Sequence, residues 1–444
     1  MALAVTPSRP SVPPGPDAAA AGPAMHRLAA ELFPICRSIT GNGVRATLRL
    51  LQGHIPLTLH EVPSGTRVFD WTVPQEWNIA DAYVRNSAGE RVIDFKKSNL
   101  HVVGYSIPVR ARLPLADLKP HLFSLPEQPD AIPYRTSFYK ETWGFCLSHR
   151  QLLALPEDEY EVCIDSSLTS GHLTYGECYL PGETEDEVLI SAHVCHPSLG
   201  NDNLSGIAVA TFLARQLQTA PRHLSYRFLF IPATIGSITW LALNEPRLAR
   251  IKHGFVLANL GDRGHLTYKK SRRGDAAVDR AARNVLRHSG SAHEVRDFLP
   301  YGYDERQFCS PGIDLPVGCL SRTPHGEFPE YHTSGDDLDF LQPASLADSL
   351  ASCLAIVRVL EGNHGYVNQS PKGEPQLGRR GLYEGYGGSR DARARELALL
   401  WVLNLSDGRH SLLDISDRSG IDFVTIRHAA DALLEHGLLK QAVR

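Results

Sequence analysis

From Val188 to Gly206 the chain reads VLISAHVCHPSLGNDNLSG, and an apolar pattern of helical spacing follows as far as Leu217. An apolar run ends in a small residue, and then His193, Cys195, His196, Asp202 and Asn203 fall within eleven positions. Strand, polar loop, helix is the reading this order predicts. It commits the chain to an α/β architecture, because a buried strand feeding a helix is the unit from which open sheets are wound. In such sheets ligands bind in the crevice at the carboxyl ends of the strands, so this loop is a candidate site.

Two meanings of the loop stay open on these residues alone. Imidazole and carboxylate suit zinc, and an acid beside an imidazole fixes its tautomer or shares the ion. Against that, His193 and His196 read equally as loop histidines, with Asp202-Asn203 starting the next helix as ordinary caps. A second cluster, Glu330-Tyr331-His332-Thr333-Ser334-Gly335-Asp336-Asp337, follows another strand-like segment, Leu315 to Leu320. Two loops after two strands can converge on one ion, which favours His193, Asp202 and His332 as metal ligands.

AHVCHPSLGNDNLSG, followed at long range by PEYHTSGDDLDF, resembles the aminopeptidase-like domain of the zinc peptidase clan that includes M28-type aminopeptidases and glutaminyl cyclases. More closely, the chain resembles a bacterial family that joins this domain to a small inserted domain and a C-terminal winged helix. The likeness extends through WTVPQEWNIADAYV, DFKKSNLHVVGYS, IPYRTSFYKETWGFC and DERQFCSPGIDLPVG, and so covers nearly everything after about residue 25. It implies a mixed-sheet α/β domain of the zinc-aminopeptidase (phosphorylase/hydrolase-like) type with a Zn2+ cofactor.

Bulk properties agree with a globular enzyme-sized chain. At 444 residues two or three domains are expected. A formal net charge of -4 is not the footprint of a nucleic-acid binder. The eight cysteines lack the spacing of a disulfide scaffold, which fits a reduced cytoplasm. The first 24 residues, rich in Ala, Pro and Gly, read as a disordered tail rather than a secretory signal. No apolar run reads as long enough to span a bilayer, so no membrane partner is expected.

Taken in order, residues 25–65 and 134–362 are expected to form the discontinuous aminopeptidase-like domain. Residues 66–133, with short β-rich pieces separated by Pro and by the turn Asn86-Ser-Ala-Gly89, are expected to form the inserted domain. Its Trp71, Trp77 and Tyr83 read as core residues or as a substrate wall. Tyr160 to Asp165 and Gly171 to Leu180 read as strands paired around the turn Ser166 to Ser170. Residues 363–390, rich in Gly, Pro and Arg, read as a linker, and 391–444 as the winged helix. Its bases are matched by acids, which points to a protein–protein or homo-oligomeric role instead of DNA.

The resemblance also exposes a departure. M28-type enzymes follow the strand corresponding to Leu224–Pro232 with two glutamates, the first a general base and the second a ligand of a second zinc. The family closest to this chain reads PETIGS there, and this chain reads PATIGS. Ala233 stands where the surviving glutamate would be, and Thr234 where the second would fall. General acid–base assistance contributes about 10²- to 10⁴-fold, and alanine supplies none.

Asp262 matches the clan's third acid, or is simply an aspartate in a Gly-bounded turn. Asp304 is expected to face the site, binding a substrate amine or hydrogen-bonding to Asp262. Glu305 or Arg306 would instead form a surface pair. His325, Glu327 and Glu330 are candidates to replace the missing base.

Three functions follow. The first is a zinc-dependent hydrolase of an amide or peptide bond next to a free amine, acting on a small molecule or short peptide, with Asp304 and Asp262 orienting substrate. The second is a metal-dependent acyl transfer or cyclisation in small-molecule or surface-sugar biosynthesis. The third is a pseudoenzyme binding module.

Overall fold

The computed structural model describes residues 18–383 and 390–442. They fall into two compact units: 18–274 with 294–350, and 275–293 with 351–383 and 390–442. The first helix, α1 (Ala18–Leu32), already begins inside the stretch expected to be a disordered tail. Its Ala-rich run favours helix over the Gly and Pro content around it. The remainder of that expected tail, residues 1–17, lies outside the described residues.

The large unit is built on a mixed sheet. After α2 (Asn42–Gln52) come β1 (Thr58–Pro63) and an excursion into a smaller sheet formed by β2 (Glu76–Arg85), β3 (Arg91–Asp94), β4 (Val109–Pro114) and β5 (Glu159–Thr169). The chain then returns through β6 (His172–Leu180) and β7 (Glu187–His193), followed by α3 (Gly206–Thr219), β8 (Ser225–Ile231), α4 (Ile235–Asn244) and β9 (Ile251–Leu257). Next are β10 (Leu266–Lys269), then α5 (Ala277–His288), which belongs to the second unit, and β11 (His293–Arg296) and β12 (Val317–Ser321). The large sheet has the order β1-β6-β8-β7-β9-β12-β10-β11. Its centre, β8-β7-β9-β12, is parallel, with β6 and β10 joining antiparallel.

β7 and β8 are buried at every position, as strands covered on both faces must be. The charges within them are paired: Arg227 Nε donates to Glu187 at 2.7 Å and its NH1 to Glu177 at 2.5 Å. Chain order reverses at β7, since β8 is added on one side of it and β9 on the other. The carboxyl end of β7, where His193 lies, is therefore the switch point at which such sheets hold ligands.

β5 and β6 are not a hairpin pair, contrary to the sequence expectation. β5 runs through the middle of the smaller sheet, β3-β2-β5-β4, pairing with β2 from Glu76↔Thr169 to Arg85↔Glu161. β6 pairs with β1 and β8. The physical reason is burial: β6 is covered over most of its length and suits a sheet layered on both sides, whereas β5 keeps half-exposed positions. The inserted sheet thus borrows a strand from beyond 66–133. Within it Trp77 is core, 3% exposed, its indole donating to Ser106 O, while Trp71 remains 46% exposed.

The second unit contains α5, the end of α6 (Pro343–Gly362), β13 (Gly365–Asn368), α7 (Arg390–Leu405), β14 (Asp407–Ser411), α8 (Leu412–Ser419), α9 (Phe423–Glu435) and β15 (Leu439–Gln441). β13 lies inside the expected linker yet is the central strand of the sheet β14-β13-β15. The Gly385-Tyr386-Gly387-Gly388 part of that linker lies outside the described residues. Ser411 caps α8 reciprocally with Asp414, Gly420 ends it at φ 71°, and Asp422 caps α9 through Thr425 N. Contrary to the expectation from sequence, α6 is long and apolar enough to cross a membrane by length and composition. Two-thirds of its apolar window is buried within the protein, as in a core helix.

Candidate metal centre

Each of the four parallel strands delivers a loop to the same end of the sheet. β7 ends at His193, and the following loop supplies His196 and Asp202. β8 leads to Ala233, β9 to Asn259 and Asp262, and β12 to His325 and His332.

His193, Asp202 and His332 meet. Asp202 is completely buried, its Oδ1 2.8 Å from His193 Nε2 and its Oδ2 3.0 Å from His332 Nε2. A further imidazole joins them: His196 Nε2 is 3.8 Å from Asp202 Oδ2, and donor atoms of His193, His196 and Asp202 all lie within 4.8 Å of one another. Burial alone would raise the Asp202 carboxyl, but His196, His193 and His332 outweigh it and hold the group well below the usual carboxylate range. Burial pulls the His196 imidazole well below its ordinary value, against the opposing pull of Asp202. Side-chain exposure is 0% for His193 and Asp202, 15% for His196 and 34% for His332, so the cluster opens toward solvent at His332.

Neighbouring groups fix this arrangement. Asn203 Nδ2 donates to Leu257 O at 3.0 Å and its Oδ1 accepts from Gly206 N at 3.2 Å, setting the amide with Nδ2 3.2 Å from His193 Nδ1. The Asp336 carboxylate accepts from Asn201 N at 2.5 Å and Asp202 N at 2.9 Å, tying the second loop to the first. Burial pushes that carboxyl up to about 8. His332 itself has φ 56°, a left-handed conformation uncommon outside glycine, and its carbonyl accepts from Tyr134 N at 2.8 Å. Aromatic rings pack the imidazoles: Tyr303 stacks on His193 with centroids 4.9 Å apart, Tyr331 on His332 at 4.0 Å.

Beneath the loop lies Arg37, only 3% exposed. Its guanidinium donates to His196 O at 2.7 Å, Pro197 O at 2.8 Å and Leu32 O at 2.6 Å. Among the described residues no carboxylate pairs with it, and burial lowers its pKa to about 10. A buried cation without an acid beside it is expensive. Here it holds the peptide units that carry His196.

The other sequence candidates separate. Asp304 Oδ1 accepts from Ser237 Oγ at 2.7 Å, not from Asp262, while its Oδ2 is buried with no partner among the described residues. Burial raises its carboxyl to about 6, against the opposing pull of His193 and the Ser237 hydroxyl. Asp262 accepts from Asn201 Nδ2 at 2.8 Å, Gly264 N at 2.6 Å, Thr323 Oγ1 at 2.7 Å and Thr323 N at 3.2 Å. Its lone pairs are thus spent on bracing loops, which leaves none for Asp304. Glu305 is no surface residue but fully buried and paired with Lys269 at 2.5 Å. Glu327 is committed to Arg296, and His325 is enclosed by Tyr301, Tyr303 and Tyr331. Cys195 Sγ lies 3.7 Å from Ala233 O, which places Ala233 against the histidine loop.

The sequence places His196 and Asp336 in the two clusters without giving either a role in the centre, and it does not single out Arg37. The HVCH spacing is a signal for the first. Nothing local marks Arg37, because its partners include carbonyls 159 and 160 positions away.

The donor set fits a zinc-class ion: three imidazoles and one ionised carboxylate, buried except toward His332, with ring nitrogens facing both carboxylate oxygens. Comparison with known proteins agrees with this fold. Residues 26–363 match a family described as a domain of unknown function, DUF4910, and residues 364–441 a winged helix-turn-helix. A Clostridium acetobutylicum protein, 55% identical over 419 residues covering 94% of this chain and 96% of its own, carries a name referring to polysaccharide biosynthesis and an aminopeptidase-like domain. A crystal structure from the same species, named as a peptidase, superposes with TM-score 0.92 at 53% identity, covering 96% of this chain and 97% of that one. A zinc aminopeptidase from Bacillus subtilis shares the fold at TM-score 0.56 and 14% identity, over 77% of this chain and 95% of its own. The chain therefore belongs to the DUF4910 family, an aminopeptidase-like α/β domain followed by a winged helix.

Proposed function

We propose that this protein is a metal-dependent hydrolase acting on an amide bond next to a free amine, with a zinc-class ion held by His193, Asp202 and His332. The observation that carries this reading is the approach of two imidazoles, 139 residues apart, to the two oxygens of one buried carboxylate. An ion of this class supplies Lewis acidity, polarising a carbonyl oxygen.

The chain's own residues supply the rest. Ala233 presents a methyl group and can accept no proton. Asp304 is better suited to proton transfer, because its Oδ2 has no partner among the described residues and a carboxyl raised to about 6 is near the range in which a group both takes and returns a proton. Ser237 orients it through Oδ1. Asp262 acts at one remove, holding Asn201 beside Asp202. Tyr331 and Tyr303 wall the imidazoles and limit water. The name of the Clostridium relative supports a substrate drawn from surface-sugar biosynthesis, such as an amine-bearing precursor.

His196 favours a second reading. If it joins as a fourth protein donor the coordination shell is closed, as in structural zinc sites, and the pocket is a binding module.

The test is metal analysis of the purified protein and of His193→Ala, followed by assay of wild type, Asp304→Asn and Ala233→Glu on aminoacyl anilides and on N-acylated amino sugars. Hydrolysis by wild type, lost about 10²-fold or more in Asp304→Asn, supports the hydrolase. Stoichiometric metal with no turnover by wild type supports the closed site. Absence of bound metal sinks both.

A further inference from the structure

We propose that the winged helix takes helix α5 of its own chain, rather than nucleic acid, as the partner of its helix-turn-helix. In DNA-reading proteins of this architecture the amino-terminal end of the second helix enters the major groove, and the first helix crosses the phosphate backbone. In this protein α8 and α9 hold those two positions, and side chains of α5 meet both.

The contacts are specific. Asn284 of α5 is 5% exposed; its Nδ2 donates to Ser416 Oγ at 2.8 Å, and its Oδ1 accepts from Phe423 N at 3.3 Å. Phe423 opens α9, so an amide oxygen occupies a helix start of the kind that otherwise receives a phosphate. Arg280 pairs with Asp414 at 2.7 Å and Asp417 at 2.7 Å, and Arg283 reaches Asp417 at 3.2 Å. Both acids lie on α8, where a DNA reader needs cations; here they accept the cations of α5.

The outward face of α9 agrees. Its exposed residues are Val424, His428 and Glu435, and its single arginine, Arg427, is turned away to Asp431 and to Gly362 O. The exposed cations of this unit, among them Arg393, Arg395, Arg409, Arg418 and Lys440, all lie off α9. Phosphate binding draws on a concentrated positive surface, and the helix that would have to provide it carries none.

The proposal concerns the C-terminal unit alone and is independent of the hydrolase reading. It is tested on the full-length chain with a fluorescein-labelled duplex of mixed sequence at about 50 mM salt, where non-specific binders of this kind associate in the micromolar range. Wild type is expected to leave the anisotropy flat up to about 10 μM. A rise that collapses with added salt overturns the proposal.

The second arm is amide exchange at Phe423, read by mass spectrometry on peptides spanning α9. Asn284→Ala and the pair Arg280→Glu/Arg283→Glu are each expected to accelerate it about tenfold. Adding Asp417→Arg to the charge-reversed pair, with Asp414 kept because it caps α8, is expected to recover part of the protection. Unchanged exchange in both Asn284→Ala and the charge-reversed pair, or no recovery on adding Asp417→Arg, means α5 is not the partner.

Discussion

Arg37 and Asp304 carry opposite lessons about buried charge. Arg37 stays ionised with no acid beside it among the described residues, because three carbonyls accept hydrogen bonds from its guanidinium and one of them belongs to His196. Arg37→Met would strand those carbonyls, and an unfolding loss of about 2–4 kcal/mol is expected in urea melts. Arg37→Lys, which keeps the charge but not the fork, should recover only part of it. Asp304 is the reverse case: burial raises its carboxyl from 3.8 to about 6. A raised folded pKa favours the native state fully below about pH 4 and loses that advantage as the pH climbs toward 6, a fall of about 3 kcal/mol. In metal-stripped protein Asp304→Asn should make the fall between pH 4 and 6 shallower, leaving the part due to Asp336, whose carboxyl is raised to about 8. Asp202, held well below the usual carboxylate range, contributes above pH 4 and fails only in stronger acid, so the two windows separate in the same titration.

Elements are legible where one stretch of sequence carries the whole signal. β7, its loop and α3 announce themselves through an apolar run, a polar cluster and a helical period, and that triad alone picks out the sheet end that matters. His193, Asp202 and His332 follow from residue chemistry in two loops. What stays hidden depends on partners far along the chain: β5 and β6 look like a hairpin until burial assigns them to different sheets, and β13 looks like linker until β14 and β15 arrive beside it. The resemblance groups Asp262 with Asp304, yet their hydrogen bonds divide them between bracing and a free oxygen. Asp336 tests how far such bracing reaches. Asp336→Ala removes two bonds that set the Asp202 backbone, and zinc affinity is expected to drop about 10- to 100-fold by competition with a chromogenic chelator.

At the scale of the whole molecule, the chain carries a metal-type pocket on one unit and, on the other, a nucleic-acid-type fold whose helix-turn-helix is occupied by α5 of that same unit. Asn284 and Ser416 are 132 positions apart yet share a buried bond. A chain ending at residue 363 keeps α5 but deletes everything α8 and α9 offer it. Such a truncation is expected to lose solubility and cooperative unfolding, measured by sedimentation and calorimetry.

Synthesis runs in one direction, so Asn284 of α5 leaves the ribosome 132 residues before Ser416, and at ordinary elongation rates of about 5–20 residues per second it waits roughly 7 to 26 seconds. During that interval the arginines of α5 lack their acids. A premature stop near the end of the reading frame would therefore harm a helix encoded in its middle.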